Sequence, residues 1–279
     1  MTNVQTYHRP SSLKDAWSLL SEKGKSAKLV GGGIDVALFA PPEVTTLIDL
    51  TELSQRSIEL REGALVLGAG VTLTEMLESD VVADYLNGIV VHMLRQVASP
   101  LLRNVATLGG TLASTHPWSD VITLFLALDA RVTQYAGEER TSSLADLLER
   151  RGTMDRAIIT EVVLPAVATG TYASYEGFVR TEFDIAMLNC ACRLTLNGSC
   201  SDVHIVFGGT PDIGHRAVAV EDALAGKTLS SEAIDAAAVI ASESIPARDD
   251  VRASADYRRV LAGAGVRRCC QRIAQRVGE

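Results

Sequence analysis

Three consecutive glycines, Gly31 to Gly33, follow the short apolar run "AKLV" and precede "IDVAL". Glycine has no Cβ and reaches positive φ without strain, so the backbone here turns tightly or approaches another group closely. Two structures are compatible with this run. One is a tight turn after a strand, and the other is a loop whose backbone N–H groups bind an anion, followed by the polar side chain of Asp35.

A second segment of small residues, "NVATLGGTLASTHPWSD", covers residues 104–120. Hydroxyls and free amides together can bind a diphosphate without a positive charge. The residues predicted to offer them are Thr107, Gly109, Gly110, Thr111, Ser114 and Thr115. The alternative is a glycine-rich loop that leads to a helix cap at Ser119 or Asp120. Two such segments in one domain favour a long ligand with a central diphosphate over two unrelated turns, although neither has the Rossmann or P-loop spacing.

Composition excludes several classes of function. A net charge of −8 and an aromatic content of 5% argue against a nucleic-acid-binding surface. The five cysteines include no C-x-x-C pair, so they are predicted to be reduced structural thiols and not a metal or iron–sulfur site. The chain shows no charged-then-apolar leader and no apolar run near the roughly 20 residues of a membrane span. These features predict a cytoplasmic protein without a transmembrane segment.

Hydrophobic periodicity predicts an α+β chain of two domains. In the first domain, "SSLKDAWSLLSEKG" predicts a helix that ends at Gly24. Thr72 and Glu75 have the spacing of a capping box, which predicts the start of a second helix, and "YLNGIVVHMLRQVA" predicts a mostly buried helix. After residue 169, "GTYASYEGFV", "AMLNCACRLTL" and "SDVHIVFGG" predict an antiparallel meander, followed by helices. The predicted domains are therefore residues 1–169 and residues 170–279.

The chain resembles the FAD-binding medium subunits of the molybdenum hydroxylases, the xanthine dehydrogenase and carbon monoxide dehydrogenase family. The resemblance extends over nearly the whole chain. It rests on "YHRPSSLKDAWSLLSE", on "KLVGGGIDVAL" in place of an A-G-G-T-D-L-like loop, on "RNVATLGGTLASTHPWSD" in place of R-N-x-A-T-I-G-G-N-x-A-x-A-x-P-x-x-D, and on "LALDARV", "ITEVVLP" and "ASADYRRVLAGAGVRR".

The resemblance implies a two-subdomain FAD-binding (PCMH-type) domain, with the split near residue 54, followed by a small C-terminal domain of an antiparallel sheet plus helices. It implies noncovalent FAD, held at the diphosphate by two loops, with Asp120 on the flavin nucleotide and Ile159 near the isoalloxazine. The residues that it implies for cofactor binding are Leu29, Val30, Gly31, Gly32, Gly33, Ile34, Asp35, Val36, Thr107, Leu108, Gly109, Gly110, Thr111, Asp120 and Ile159. It implies no catalytic residue and no metal ligand in this chain.

Three positions depart from the family pattern. Ile34 stands where Thr, Gln or His is usual, Thr111 replaces the usual Asn, and Gly177 stands where Lys is common in Y-x-K-F. The last change removes a cationic contact to the flavin.

The function that the resemblance implies is that of an electron-transfer subunit. A large subunit would hold the molybdopterin, a small subunit would hold the [2Fe-2S] clusters, and this chain would pass electrons from those clusters to an external acceptor. A dimer of heterotrimers is the implied assembly. The alternatives are an autonomous flavoprotein oxidase or reductase with the two-loop FAD fold, or a structural subunit that has lost flavin binding.

Overall fold

The computed structural model describes residues 3–53, 55–150 and 156–277. Its strands are β1 (Thr6–His8), β2 (Ala27–Val30), β3 (Thr46–Asp49), β4 (Ile58–Arg61), β5 (Ala64–Gly68), β6 (Arg131–Tyr135), β7 (Glu139–Ser143), β8 (Ile158–Leu164), β9 (Thr171–Phe178), β10 (Leu188–Asn197), β11 (Ser199–Gly208) and β12 (His215–Arg216). Its helices are α1 (Leu13–Lys23), α2 (Ile34–Phe39), α3 (Leu73–Leu77), α4 (Asp80–Asp84), α5 (Ile89–Leu94), α6 (Pro100–Arg103), α7 (Leu108–Ala113), α8 (Asp120–Ala127), α9 (Leu144–Glu149), α10 (Val218–Leu224), α11 (Ser231–Ser244) and α12 (Ala255–Val277).

The chain divides into two compact units, each assembled from three segments. The first contains Met1–Val82, Ser99–Thr115 and Asp129–Pro165, and the second contains Ala83–Ala98, His116–Leu128 and Ala166–Glu279. The domain division at residues 169 and 170 stays a prediction. The predicted split near residue 54 falls on a residue outside the described ones.

The first unit has two sheets. A parallel sheet has the strand order β1-β3-β2, and α1 packs on it through Ala16 and Leu20, which contact buried residues such as Ile48. An antiparallel sheet has the order β4-β5-β8-β6-β7, with β8 in the middle. The connection of β2 to β3 through α2 is the short strand–helix–strand crossover that parallel strands require.

The second unit is a four-stranded antiparallel sheet, in the order β12-β11-β10-β9, covered by helices. Gly198, with φ +81°, makes the tight turn between β10 and β11. The long helix α12 packs on β9 and β10 together with α11, and Cys190, Cys192, Cys269 and Cys270 are buried in this core. The predicted α+β class and the predicted C-terminal sheet with helices are confirmed.

Local capping signals were reliable, and one helix prediction was wrong. Ser12 and Gly24 cap the two ends of α1, and Thr72 with Glu75 forms the capping box of α3. The segment "YLNGIVVHMLRQVA" does not form one helix, because Leu86 and Asn87 adopt left-handed backbone angles before α5 begins at Ile89. Along the described residues, no helix has both the length and the apolar character needed to cross a bilayer.

One buried arginine ties α12 to a loop of the second unit. The side chain of Arg258 is 2% exposed; its Nη1 donates to the carbonyl oxygen of Gly209 at 3.0 Å and its Nη2 to Oδ1 of Asp250 at 2.7 Å. Burial alone would raise the pKa of Asp250, but hydrogen bonds from Arg258 and from backbone N–H groups outweigh it and lower that pKa to about 2. The folded chain therefore favours the ionised carboxylate.

We predict that Asp250→Asn lowers the free energy of unfolding by about 2 kcal/mol at neutral pH, and by roughly half as much near pH 3. Because the folded-state pKa is depressed, the stability that Asp250 supplies is present above the pKa of the unfolded chain and is lost as pH falls towards about 2. Urea unfolding of both proteins at the two pH values measures the difference. A difference that does not change with pH would contradict the assignment.

Candidate functional site

The first glycine loop lies between β2 and α2. Gly33, with φ +78°, is in the left-handed region at the N-cap of α2, which explains a glycine there. The first bond within this helix runs from the N–H of Ala37 to the carbonyl of Gly33 at 2.9 Å. The amides of the first turn precede that bond, as in any α-helix, and they have no partner inside the helix.

Gly31 and Gly32 are explained by close packing against the second segment. A Cβ on Gly32 would lie 2.6 Å from the carbonyl carbon of Val105 and closer still to its oxygen. A Cβ on Gly31 would lie 2.5 Å from Oγ1 of Thr107. No side chain fits at either position without a shift of the backbone or of Thr107. Both loops belong to the first unit, and the structure brings them together.

The second loop uses most of its amides inside the protein. Thr107 caps α7, since its Oγ1 accepts from the N–H of Gly110 at 3.2 Å and its carbonyl accepts from the N–H of Thr111 at 2.9 Å. The N–H groups of Leu108 and Gly109 donate to Val71 and Ala69, each at 2.8 Å. The expectation of free amides at Gly109, Gly110 and Thr111 is therefore wrong. These amides donate to the neighbouring segment at Ala69 and to Thr107 at the start of α7.

Residues of the segment 69–73 were missed by the sequence analysis, although they hold the second loop. Besides the bonds to α7, Leu73 N–H donates to the carbonyl of Ala106 at 2.9 Å, and Ala69 N–H donates to the carbonyl of Thr160 in β8 at 3.0 Å. The signal was the Gly68-x-Gly70 spacing in "ALVLGAG". A Cβ on Gly68 would lie 2.6 Å from the carbonyl carbon of Gln55, so this glycine also permits a close backbone approach.

Ile159 lies beside this arrangement in the same unit. It pairs with Gln134 of β6, whereas the register of β8 with β5 ends at the pair Gly68 and Glu161. The backbone of Ile159 on the β5 side is thus beyond the paired region. Its predicted place near an isoalloxazine ring stays a prediction.

Asp120 belongs to the second unit, at the start of α8, where Ser119 is the N-cap. The helix-cap alternative is therefore correct for Ser119. Oδ1 of Asp120 accepts hydrogen bonds from the hydroxyl of Tyr175 and, at 2.8 Å, from Nδ2 of Asn189. Burial raises the pKa of Asp120 above its usual value, and these two hydrogen bonds oppose the shift. Neither partner was predicted from the sequence.

The three departures from the family pattern have distinct surroundings. Ile34 is the first residue of α2 and is half-buried, and the hydroxyl of Thr111 donates to the carbonyl of Thr107 at 2.9 Å. A Cβ on Gly177 would lie 3.2 Å from Oε1 of Gln96 and 3.4 Å from the hydroxyl oxygen of Tyr175. Position 177 therefore adjoins the Tyr175 hydroxyl that donates to Asp120.

Other polar residues have structural surroundings. His92 is exposed on α5, and the ring of His116 stacks on Trp118 with 4.6 Å between centroids. All five cysteines are buried and free, as predicted. Burial, with a hydrogen bond to Cys269, raises the pKa of Cys190 well above its usual value, which makes this thiol a poor nucleophile.

Comparison with known proteins decides the family. The family model described as the FAD binding domain in molybdopterin dehydrogenase matches residues 2–167, and that of the CO dehydrogenase flavoprotein C-terminal domain matches residues 173–273. The chain belongs to this flavoprotein family. The predicted FAD-binding domain with a small C-terminal domain is thereby confirmed, as is the predicted relation to molybdenum hydroxylase flavoproteins.

Individual relatives cover nearly the whole chain. The carbon monoxide dehydrogenase medium chain of Hydrogenophaga pseudoflava is 30% identical, over 94% of each protein. The nicotine 6-hydroxylase medium subunit of Paenarthrobacter nicotinovorans is 31% identical, also over 94% of each. A solved structure of the Hydrogenophaga pseudoflava carbon monoxide dehydrogenase, which lacks the Mo-pyranopterin moiety of its molybdenum cofactor, matches with a TM-score of 0.89 at 28% identity over 99% of both chains. This family member is thus a medium, FAD-binding subunit of an oxidoreductase complex.

We predict that Gly32→Ala destabilises the protein by about 3 kcal/mol or more, because the added methyl group collides with backbone that cannot rotate away. Gly33→Asn should cost less than about 1 kcal/mol, since Asn tolerates the left-handed region and a Cβ at that position would meet Cγ1 of Val30 at 3.8 Å, an ordinary contact. Thermal and urea unfolding of the two variants measure the contrast. Equal stabilities would show that the packing of Gly32 on Val105 is not a constraint.

Proposed function

We propose that this chain is the FAD-carrying electron-transfer subunit of a molybdenum-dependent hydroxylase or dehydrogenase. In this proposal a small partner subunit with [2Fe-2S] clusters delivers electrons, a large partner subunit holds the molybdopterin and oxidises the substrate, and an external acceptor receives the electrons. The contact between the two glycine loops is the observation that carries the proposal, because it gathers most of the predicted cofactor residues in one place.

The residues at these loops fit a diphosphate. The amide of Ile34, the first residue of α2, precedes the first bond within that helix, and a backbone N–H group in this position attracts phosphate. Gly110 is exposed, and a Cβ there would meet only Oγ1 of Thr107, at 2.9 Å. A net charge of −8 would oppose long-range attraction of an anion, so short-range donors of this kind must supply the binding.

The two threonines of the second loop would act differently. Oγ1 of Thr107 accepts from the N–H of Gly110, so its own proton is available to a phosphate oxygen. The proton of the Thr111 hydroxyl already lies on the carbonyl of Thr107. In the proposed site, Thr107 donates to the diphosphate together with the amide of Ile34, while Thr111 stabilises the turn.

When bound, FAD supplies reversible electron uptake, and the protein contributes binding, orientation and electrostatics. Gly31 and Gly32 let the first loop pack on residues 105–107, and the segment 69–73 fixes α7 so that the Thr107 hydroxyl keeps its position. The proposal assigns no proton-transfer group on this chain to the substrate, which the large subunit would bind. The proposed compartment is the cytoplasm.

We predict that the flavin-free full chain binds FAD stoichiometrically and that Thr107→Val weakens this binding about tenfold, the usual effect of losing a hydrogen bond to a charged group. Thr111→Val should change the affinity by less than about threefold, because its hydroxyl proton bonds within the turn. Quenching of flavin fluorescence during titration measures both values.

Thr107→Ser is the matched control, since serine keeps the hydroxyl and the cap of α7. It should bind FAD like the natural chain. A folded natural chain that stays free of flavin would refute the proposal and favour the structural-subunit alternative. An equal loss of affinity in the two valine variants would leave the FAD function standing but contradict the separate roles of the threonines.

The proposed assembly is a dimer of heterotrimers. We predict that a tagged chain, co-expressed with a two-cluster iron–sulfur subunit and a molybdopterin subunit, is purified with both, with the native mass of two copies of each. Native mass spectrometry measures the composition. Recovery of the chain alone, with FAD and its own substrate oxidation, would support the autonomous flavoprotein instead.

A further inference from the structure

The carboxylate of Asp120 is held from two strands of the second unit. Tyr175 reaches it from β9 and Asn189 reaches it from β10, and both donate to the same oxygen, Oδ1. Both side-chain donors are on Oδ1, and no other side chain of the described residues donates to the second carboxylate oxygen, Oδ2. A carboxylate fixed in this way keeps one orientation without a ligand.

The buried position of Asn189 leaves one of its side-chain polar atoms without a hydrogen bond from the described residues. It is fully buried, and its Nδ2 donates to the carbonyl of Trp118 at 3.1 Å as well as to Asp120. Its Oδ1 is buried and accepts no hydrogen bond from the described residues. A buried polar atom without a hydrogen bond is unfavourable, so the side chain must be kept there by its other contacts. Here the amide N–H groups of Asn189 bind the carbonyl of Trp118, just before α8, and the carboxylate of Asp120.

The glycine opposite Asn189 supports the same placement. A Cβ on Gly208 would collide with Oδ1 of Asn189 and with Oγ1 of Thr123, so β11 leaves room for the amide at this one point. The side chain of Tyr175 is likewise fully buried. Both donors are therefore held rigidly by the sheet, and the cost of orienting the carboxylate is met during folding.

Both donors are also neutral. Among the described residues, the groups that bear on the pKa of Asp120 are the Tyr175 hydroxyl, the Asn189 amide and the backbone N–H of Asp120 itself, with burial the largest influence. Gly177, whose Cβ would lie 3.4 Å from the Tyr175 hydroxyl oxygen, brings no charge to this place. The carboxylate is thus oriented by hydrogen bonds and is not paired with a cation.

We infer that Tyr175 and Asn189 are positioning residues, which orient the Asp120 carboxylate so that its Oδ2 accepts a hydrogen bond from a hydroxyl or N–H group of the flavin nucleotide. The inference rests on the proposed function, because it requires that Asp120 contacts FAD. It adds two residues to which the sequence assigned no role.

The neighbouring titratable groups do not compete with Asp120 near neutral pH. Burial, followed by the negative charge of Asp120, raises the pKa of Tyr175 well above its usual value. The thiols of Cys190 on β10 and Cys269 on α12 face Tyr175, and burial raises the pKa of Cys190 as well. Tyr175 therefore keeps its proton and stays a donor while Asp120 titrates.

The test is FAD binding to the full chain between about pH 5 and pH 8, measured by flavin fluorescence for the natural protein and for Tyr175→Phe. The loss of one donor should weaken binding about fivefold at neutral pH. It should also move the midpoint of the pH dependence upwards, because the Tyr175 hydrogen bond lowers the pKa of Asp120. Asp120→Asn should weaken binding about tenfold or more and remove the pH dependence.

Tyr172→Phe is the matched control, since Tyr172 lies on the same strand and packs on the C-terminal core. It should bind FAD like the natural chain at every pH. Asn189→Ala should reproduce the upward shift, and Tyr175→Phe decides the matter if the alanine variant does not fold. An unchanged midpoint in Tyr175→Phe, or an equal shift in Tyr172→Phe, would overturn the inference.

The outcomes separate the inference from the proposed function. If the natural chain binds FAD and Asp120→Asn binds it equally well, the positioning role fails and the FAD function stands. If the folded natural chain does not bind FAD at all, the proposed function and the inference fail together.

Discussion

The packing of the Gly32 backbone on the carbonyl of Val105 is the contact on which the rest of the candidate site depends. It contains no side chain, since a single Cβ at position 32 would occupy the space of the opposing backbone. Through it the loop after β2 reaches the start of α7, and through Ala69 and Thr160 the same region continues into β8. In the first unit, the loop after β2, the start of α7, the segment 69–73 and β8 are therefore in mutual contact through their backbones. Glycine occupies the positions where these backbones come closest.

This contact gives the two glycine loops different chemistry. The first loop ends in the N-terminal turn of a helix, whose amides have no intrahelical acceptor. The amides of the second loop donate to the carbonyls of Ala69 and Val71 and to Thr107, which caps α7. The group that this loop presents to a ligand in the proposed site is therefore the Thr107 hydroxyl. Two segments that look alike as strings of small residues therefore differ as binding groups, because the helix start of the second lies beside Ala69 and Val71, whose carbonyls accept its amides.

The second unit prepares a carboxylate in a comparable way. Asp120 is oriented by two neutral donors that are themselves buried in the sheet, and its raised pKa follows from burial without a cation. The chain has a net charge of −8, and the carboxylate is oriented by neutral hydrogen-bond donors. Because these hydrogen bonds form during folding, ligand binding does not have to orient the carboxylate. Gly177, whose Cβ would lie 3.4 Å from the Tyr175 hydroxyl oxygen, adds no charge near this acceptor.

The sequence by itself determined the α+β class, the caps of α1 and α3, the C-terminal antiparallel sheet and the family, since these depend on short-range pattern or on motif order. It did not determine which amides stay free, that Leu86 and Asn87 break a helix, or that Tyr175 and Asn189 hold Asp120. Those depend on which distant segments meet. Only the tertiary structure decided that Gly31 and Gly32 are needed for packing on residues 105–107, because a glycine in a sequence does not reveal what lies where its Cβ would be.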